Sequence, residues 1–345
     1  MLRFLVFLNG IAAVCLLFAY LSSYVDPQIS PIFSFFGVLY PLFFIINVFF
    51  MLFWVFAKIK YVSISLIVLL IGFNKIGLYF SNNNDSEVSG KTITIASLNT
   101  QIGKKLFLKS EEARENLWKK FEDKLIDREI DVYCFQECNK PPRKLFDKFL
   151  SDYNKYHPEN SIAVTYTRHP IINQGHIKIG HIYNTCIWTD IQFPDQIIRV
   201  YNPHLSSNKI SKKTNKLIGQ PDLRDDKTWS DIKFIFNNYG ATAKQRVKEV
   251  TIIKEHMAQS PYPIILAGDL NDTPLSYTYR LLTENLQDAF VCAGAGIGNT
   301  YAGSIPLLRI DYTLVDPKFN ILNYELVKED FSDHYPIITT INLSE

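Results

Sequence analysis

The 345-residue sequence predicts an α/β fold behind an apolar N-terminal region, on three observations. Residues 1–80 are almost free of charge. Beyond residue 90, strand-like runs alternate with amphipathic helical patterns. Several of those runs stop abruptly at a carboxylate, carboxamide or imidazole, the groups that hold metals and phosphates.

The N-terminal region contains apolar stretches at residues 4–24, 32–56 and 62–80, each near or above the roughly 20 residues that cross a bilayer as a helix. A cleaved signal peptide is the alternative reading of the first, because Arg3 precedes it, but two further stretches follow. The third is the weakest, with Asn74 and Lys75 inside it, although a lysine near a helix end can snorkel to the interface. Cations lie before the first stretch (Arg3) and between the second and third (Lys58, Lys60), whereas Asp26 and no cation lie between the first and second. Because Lys and Arg favour cytoplasmic loops, three spans would put the remainder of the chain outside; two would leave it in the cytoplasm. The expectation is a multi-pass protein of the bacterial inner membrane with an extracytoplasmic C-terminal part. Residues 1–80 are then a three-helix transmembrane anchor. Residues 81–91, with Ser81-Asn82-Asn83-Asn84-Asp85-Ser86, read as a linker, and residues 92–345 as a domain large enough for its own core.

The formal net charge is +2, and beyond residue 80 acidic and basic residues nearly balance. The five cysteines show neither zinc-site spacing nor a dense disulfide framework and read as small core residues. Residues 110–128 carry Leu117, Phe121, Leu125 and Ile126 near one helical face, and residues 242–259 read as a second helix. Residues 162–165, 185–188 and 197–201 look sheet-forming.

Six endings carry the chemistry. Residues 92–98 lead to Asn99, residues 131–135 to Gln136-Glu137, and residues 197–201 to Asn202-Pro203-His204. The run from Ile264 ends in Gly268-Asp269-Leu270-Asn271-Asp272, the run from Leu307 ends at Asp311, and Ser332-Asp333-His334 precedes Tyr335-Pro336-Ile337. Singly, each has a plain explanation. Gly-Asp and Asn-Asp make ordinary turns, His204 can be a core histidine, Glu137 a helix cap and Asp311 a surface partner for Arg309. Together in one chain they are hard to explain as turns.

With these motifs the chain, from about Thr92 to Leu343, resembles the endonuclease/exonuclease/phosphatase superfamily of DNase I-like phosphoesterases. The ordered set Ser97-Leu98-Asn99, Gln136-Glu137, Asn202-Pro203-His204-Leu205, Gly268-Asp269-Leu270-Asn271, Arg309-Ile310-Asp311-Tyr312 and Ser332-Asp333-His334 carries the resemblance. It implies a four-layer α/β sandwich, two packed mixed β-sheets flanked by helices, with the endings gathered at one rim. It also implies metal-assisted attack of water on a phosphate ester. Glu137 is the first choice of metal ligand, with Asn99 and with Asp333 as a further ligand or outer acceptor. Hard oxygen donors and a phosphate suit Mg2+, with Mn2+ or Ca2+ as the other candidate ions. Asp269 would orient or deprotonate the water, Asn271 would donate to the phosphate, and His204 and His334 would bind its oxygens. Asp311 would fix the charge or tautomer of His334. The alternative makes His334 the general base with Asp269 as its helper. Gln101 departs from the acidic residue some nucleases of the family carry two positions after the Asn, and the sequence offers no evident carboxylate partner for His204.

Substrate is less constrained. A near-neutral domain lacks the overall basic balance of a nucleic-acid binder. Lys209, Lys212, Lys213 and Lys216, followed by Trp229, Phe234, Phe236 and Tyr239, read either as a solvated loop and packing segment or as a lid for anionic headgroups. Residues 294–301 read as a flexible rim loop. An anchor concentrates the enzyme at lipid, which favours a lipid phosphate ester or lipid-linked pyrophosphate. The expected partners are the bilayer and a phosphate-ester substrate, lipid-linked or nucleic acid, with no obligate protein partner. A membrane-anchored endo- or exonuclease is the second enzymatic reading and an inert binding module of the same fold the third. The last is disfavoured, because a pure binder needs no water-activating carboxylate beside a metal ligand.

Overall fold

The computed structural model describes residues 2–83, 90–104, 110–180, 184–208, 224–303, 305 and 307–343. Lys209, Lys212, Lys213 and Lys216, and Asn84, Asp85 and Ser86 of the expected linker, lie outside the described residues. Helices are α1 (Leu2–Leu21), α2 (Ile32–Val38), α3 (Tyr40–Ala57), α4 (Val62–Ile71), α5 (Glu111–Phe121), α6 (Lys140–Phe149), α7 (Asp226–Met257), α8 (Tyr277–Thr283) and α9 (Ala289–Ala293). Strands are β1 (Phe80–Asn82), β2 (Thr92–Asn99), β3 (Val132–Gln136), β4 (Asn154–Tyr156), β5 (Val164–Thr167), β6 (Ile171–Lys178), β7 (Thr185–Gln192), β8 (Ile197–His204), β9 (Ile264–Asp269), β10 (Gln287–Asp288), β11 (Ala295–Ile297), β12 (Asp311–Val315), β13 (Asn320–Leu326) and β14 (Ile337–Asn342). They form two compact units. The first holds residues 1–79, 208–247 and 272–281, and the second residues 80–207, 248–271 and 282–345.

In the first unit, α1 and α3 are long and apolar enough to cross a membrane, with mean hydropathies of 2.4 and 2.1, and most of each is exposed rather than buried. The third apolar stretch divides. α4 stops after ten residues and continues from Phe73 to Leu78 as a 3-10 turn, where Asn74, Lys75 and Gly77 weaken the apolar helical pattern. This segment starts beside the end of α3, where the Trp54 and Tyr61 rings are 5.0 Å apart. It finishes beside the end of α1 and the start of α3. Gly72 lies so close to Tyr20 that a Cβ would meet its ring, Lys75 Nζ donates to the Tyr24 hydroxyl at 3.3 Å, and Tyr79 lies 4.9 Å from Tyr40. The three helices are joined by a buried polar network. Asn9 Nδ2 donates to Ser65 Oγ (2.6 Å), Trp54 Nε1 to Asn9 Oδ1 (2.9 Å), Ser65 Oγ to Asn47 Oδ1 (3.2 Å), and Asn47 Nδ2 to the Ala12 carbonyl (3.0 Å).

α7 starts at Asp226, sixteen residues before the helix that periodicity alone indicates. Ile235 and Tyr239, one turn apart, bury against Phe35 and Val38 of α2, and that tertiary burial extends the helix.

The second unit is built on two six-stranded sheets, ordered β10-β12-β9-β8-β7-β6 and β13-β14-β2-β3-β5-β4. Each is mixed, with β8 and β9 parallel in one, β2 and β3 parallel in the other, and the remaining pairs antiparallel. Strand alternation decides what faces where. Ile93 and Ile95 of β2, Val132 and Cys134 of β3, Ile198 and Val200 of β8, and Ile265 and Ala267 of β9 fill one core between the sheets. Ala96 and Leu98, with Tyr133 and Phe135, face the other way and pack against Leu117, Phe121 and Phe146 of α5 and α6. The same parity carries Asn99, Gln136, Asn202, His204, Asp269 and Asp311 to the inter-sheet side at one end. Just beneath that end, Gln136 Nε2 donates to Ser97 Oγ (3.2 Å) and Asn202 Oδ1 (2.8 Å), and Asn202 Nδ2 donates to the Val164 carbonyl (3.0 Å), tying the sheets together.

Residues 294–301, expected to be flexible, are partly ordered by pairing. β11 pairs with β1, and the fully buried Thr300 accepts from the Ile310 and Asp311 amides at 3.0 and 3.1 Å.

Arg199 on β8 lies directly opposite Asp190 on β7, bound through two hydrogen bonds of 2.6 and 2.8 Å, with its guanidinium 4.1 Å from the Trp188 ring. Asp190→Ala strips a buried guanidinium of its partner and is expected to cost about 3–5 kcal/mol. A urea unfolding midpoint equal to that of the unaltered chain would refute this.

Candidate active site

Asp269 is the centre of the site because the register makes it so. His204 on β8 and Asp311 on β12 are its direct partners on either side, so an imidazole and two carboxylates stand in one row across three strands. Asn99 and Gln136 occupy the matching row of the facing sheet.

The Asp269 side chain has no solvent exposure, and each of its oxygens is engaged. Oδ1 accepts from the Asn271 amide (2.8 Å), and Oδ2 accepts from Asn99 Nδ2 (2.9 Å) and Asn271 Nδ2 (3.1 Å). Asn271 Nδ2 also donates to the Leu205 carbonyl (3.0 Å), so both amide hydrogens of Asn271 are taken within the site. Burial, followed by the negative charge of Asp311, raises the Asp269 pKa above the ordinary carboxylate value.

Glu137 follows β3 in a left-handed conformation (φ 49°), as Gln101 (φ 50°) and Asn271 (φ 51°) follow their strands. Non-glycine residues adopt this region at a cost, and three of the four that do so among the described residues surround this site. Glu137 Oε1 lies 3.4 Å from Asn99 Nδ2 and 3.5 Å from His204 Nε2, and His204 Nε2 lies 3.7 Å from Asp269 Oδ2. His204 therefore stands between two carboxylates, neither of which the sequence reading paired with it.

His334 Nδ1 lies 2.9 and 3.0 Å from the Asp311 oxygens, and its Nε2 lies 3.9 Å from Asp333. Burial works to lower the His334 pKa, but the Asp311 and Asp269 carboxylates and the hydrogen bond to Asp311 outweigh it and raise the pKa to about 10. These neighbours favour the charged imidazolium form of His334. Asp333 is held by Gln101 Nε2 (2.6 Å), and burial raises its pKa. Glu137 and Asp333 are the carboxylates with the most solvent access, with side chains 23% and 24% exposed.

All eight predicted site residues are thus brought together: Asn99, Glu137, His204, Asp269, Asn271, Asp311, Asp333 and His334. Four carboxylates against two imidazoles leave a negative excess even with both rings charged, and the accessible carboxylates are oxygen donors at the open edge. This donor set fits a hard divalent cation. Asp269, Asp311 and His334 also cluster tightly enough to hold a metal. Within that cluster His334 Nδ1 is already bonded to Asp311.

Glu249 escaped the sequence reading. This fully buried residue of α7 accepts from the Ser206 amide (2.9 Å), Ser206 Oγ (2.5 Å) and Asn184 Nδ2 (3.2 Å), fixing the chain just after His204. Its position on the inward face of a helix with Val250 and Ile253 was the available signal. Arg309 pairs with Asp288 (2.7 Å) instead of Asp311.

Two mixed sheets bearing this constellation at one end define the fold class of the DNase I-like phosphoesterases. Residues 96–334 match the model of the endonuclease/exonuclease/phosphatase family, and the chain belongs to that family. Residues 2–79 match a second family, described as a domain of unknown function. No curated protein matches the sequence significantly. Among solved structures, the chain is similar to an endonuclease/exonuclease/phosphatase from Bacteroides vulgatus (15% identity, 74% of this chain and 100% of that one, TM-score 0.56). It is also similar to the Bacteroides thetaiotaomicron mannosyl-6-phosphatase (17%, 72% and 99%, TM-score 0.51) and to D. rerio TDP2 complexed with a single-strand DNA product (15%, 73% and 99%, TM-score 0.52). At these identities the likeness speaks for the fold.

In Asp311→Asn, which keeps the shape and removes the charge, the His334 pKa is expected to fall from about 10 toward its ordinary 6.5. The ring-proton NMR titration reads this, and a midpoint that stays near 10 would mean that Asp311 does not set the charge.

Proposed function

We propose that the protein is a metal-dependent phosphoesterase held at a membrane, acting on a membrane-proximal lipid phosphate or pyrophosphate. The observation that carries the hydrolytic part is the convergence of an anionic, oxygen-rich edge with a buried Asp269 whose proton affinity is raised. Glu137, with Asn99 and Asp333, would hold Mg2+, which when bound supplies positive charge to the phosphate and acidifies water. Asp269 takes the proton of the attacking water, its raised pKa bringing it nearer to a useful base. Asn271 and Asn99 orient that carboxylate. His334, charged because of Asp311, and His204 donate to the phosphate oxygens as negative charge grows there. The charge on His334 favours Asp269 over His334 as the base.

The activity should rise as pH passes the elevated pKa of Asp269, which must be ionised to act. It should fall as pH rises through about 10, where His334 loses its charge. Asp269→Asn and His334→Ala are each expected to lower turnover by about 10²–10⁴. Glu137→Gln should weaken the magnesium response at an unchanged unfolding midpoint. The test is the full chain in detergent micelles with Mg2+, offered a polyprenyl pyrophosphate, sphingomyelin, plasmid DNA and RNA. Turnover of lipid that His334→Ala abolishes supports the proposal; nicking of nucleic acid alone makes the protein an anchored nuclease, and inactivity on all four refutes hydrolysis of these classes.

The membrane reading is supported by the exposed apolar surfaces of α1 and α3. A discarded signal peptide is disfavoured, because Asn9 and Ala12 of α1 belong to the polar network with α3 and α4. Residues 62–79 return from the Trp54 end to the Tyr20 and Tyr40 end, and ten α-helical plus six 3-10 residues rise about 27 Å, close to the bilayer core of about 30 Å. This supports reading the segment as a third crossing beside the two long apolar helices, and with Arg3, Lys58 and Lys60 cytoplasmic the chain beyond Tyr79 would lie on the far side. Cys292 is the exposed cysteine among the described residues. An impermeant maleimide should label intact spheroplasts carrying the protein but not its Cys292→Ser variant; labelling only after permeabilisation would reverse the orientation.

A further inference from the structure

The first unit contains a line of contacts that runs from the N-terminal helices to the residue next to Asn271. Asp272 is buried. Its Oδ2 accepts from Arg246 Nε at 3.0 Å, and its Oδ1 accepts from the Tyr239 hydroxyl and the Thr273 amide, each at 3.1 Å. Burial, with the Asp272 charge beside it, holds the Tyr239 pKa well above its ordinary value, so the phenol remains a donor at neutral pH. The Tyr239 ring meets Phe35 of α2 edge-on at 6.4 Å, and Phe35 meets Phe236 at 5.1 Å.

Other contacts run in parallel. Ser22 Oγ donates to the Leu275 carbonyl, Gln28 Nε2 donates to the Lys244 carbonyl at 2.6 Å, and Arg280 Nη1 donates to the Ser23 carbonyl at 3.4 Å with its guanidinium 5.2 Å from the Tyr24 ring. All lie within the first unit, which the chain enters at Asp272 directly after Asn271. A simple tether needs no such contacts. Its work is done by length alone, whereas here the segment between two apolar helices binds backbone carbonyls more than two hundred residues away.

The position next to this line is the one that needs support. Asn271 is left-handed, a region that asparagine enters more readily than most residues but still at a cost that fixed neighbours help to meet. Before it, β9 is held by β8 and β12. After it, Asp272 is held by Tyr239 and Arg246.

We infer that the N-terminal module, which matches a family described as a domain of unknown function, is a brace for residues 272–281, the segment that directly follows Asn271. Through Ser22, Gln28 and Phe35 it fixes α7 and residues 272–281, and so keeps Asp272, and with it the Asn271 backbone, in place. The consequence for catalysis rests on the reading of Asn271 as the group that orients Asp269; the brace itself does not.

The test uses the full chain in detergent micelles and reads amide hydrogen exchange alongside hydrolysis of bis(p-nitrophenyl) phosphate with Mg2+. In Phe35→Ala, amides of residues 272–281 are expected to exchange about tenfold faster or more while those of β9 are unchanged, and kcat is expected to fall further than KM shifts. Phe35→Leu, which keeps an apolar side chain there, should restore both. Gln28→Ala removes an exposed contact that the fold does not need, and should speed the same amides by a smaller factor. Unchanged exchange at 272–281 in both alanine variants overturns the brace. Acceleration spread equally over β9 also overturns it, as general destabilisation. Phe35-dependent protection in a chain that hydrolyses no phosphate ester retains the brace and removes the hydrolytic reading.

Discussion

A carboxylate with no access to water must be answered by its surroundings, and Asp269 is the point around which this fold is organised. Its neighbours on both sides in the sheet are chosen by register: one imidazole, one carboxylate that itself charges a second imidazole. The facing sheet supplies Asn99. Beneath them, Gln136 donates to Asn202 across the gap, so the two sheets cannot slide without breaking a buried amide bond. Packing in the core beneath the site and polarity at its end are therefore set by the same strand pairings.

Electrostatics then separates the roles of groups that look alike in sequence. Asp269 and Asp311 are adjacent, buried carboxylates, yet Asp311 is committed to His334 while Asp269 is surrounded by neutral amide donors and keeps a raised proton affinity. His334 has carboxylates on both sides, which favour its cationic form. His204 faces Glu137 and Asp269 at longer distances. Environments that push equivalent groups apart in this way are, in general, what lets two like side chains take different protonation states.

Much of this was legible in the sequence because strand ends leave a strong local mark: an apolar run with period-two alternation that stops at Asn99, Glu137 or Asp269 can be read without knowing its partners. Pairing could not be read, since nothing local says that β8 runs parallel to β9. Glu249, marked only by its place on the inward face of a helix, and Asp272 were hard to read for a different reason. A charged residue within a helix or turn usually faces solvent, and only the folded chain shows that these face Ser206 and Arg246. The early start of α7 was hidden likewise, because residues 229–239 become helical by packing on α2, more than 180 residues earlier in the chain. The rim loop at 294–301 reads as flexible on its glycines, and its pairing with β1 and the bonds of Thr300, which composition does not show, order part of it.

The interleaving of the two compact units bears on how the molecule can be assembled. The apolar helices are made first, but the bonds between Ser22 and Leu275 and between Arg280 and Ser23 span 253 and 257 residues. Ser22, Gln28 and the face of α2 must wait for most of the chain to emerge before they meet their partners. Contacts this distant in sequence form late and slowly. The segment that directly follows Asn271 can therefore make these bonds only late in synthesis, long after the helices it binds have been made.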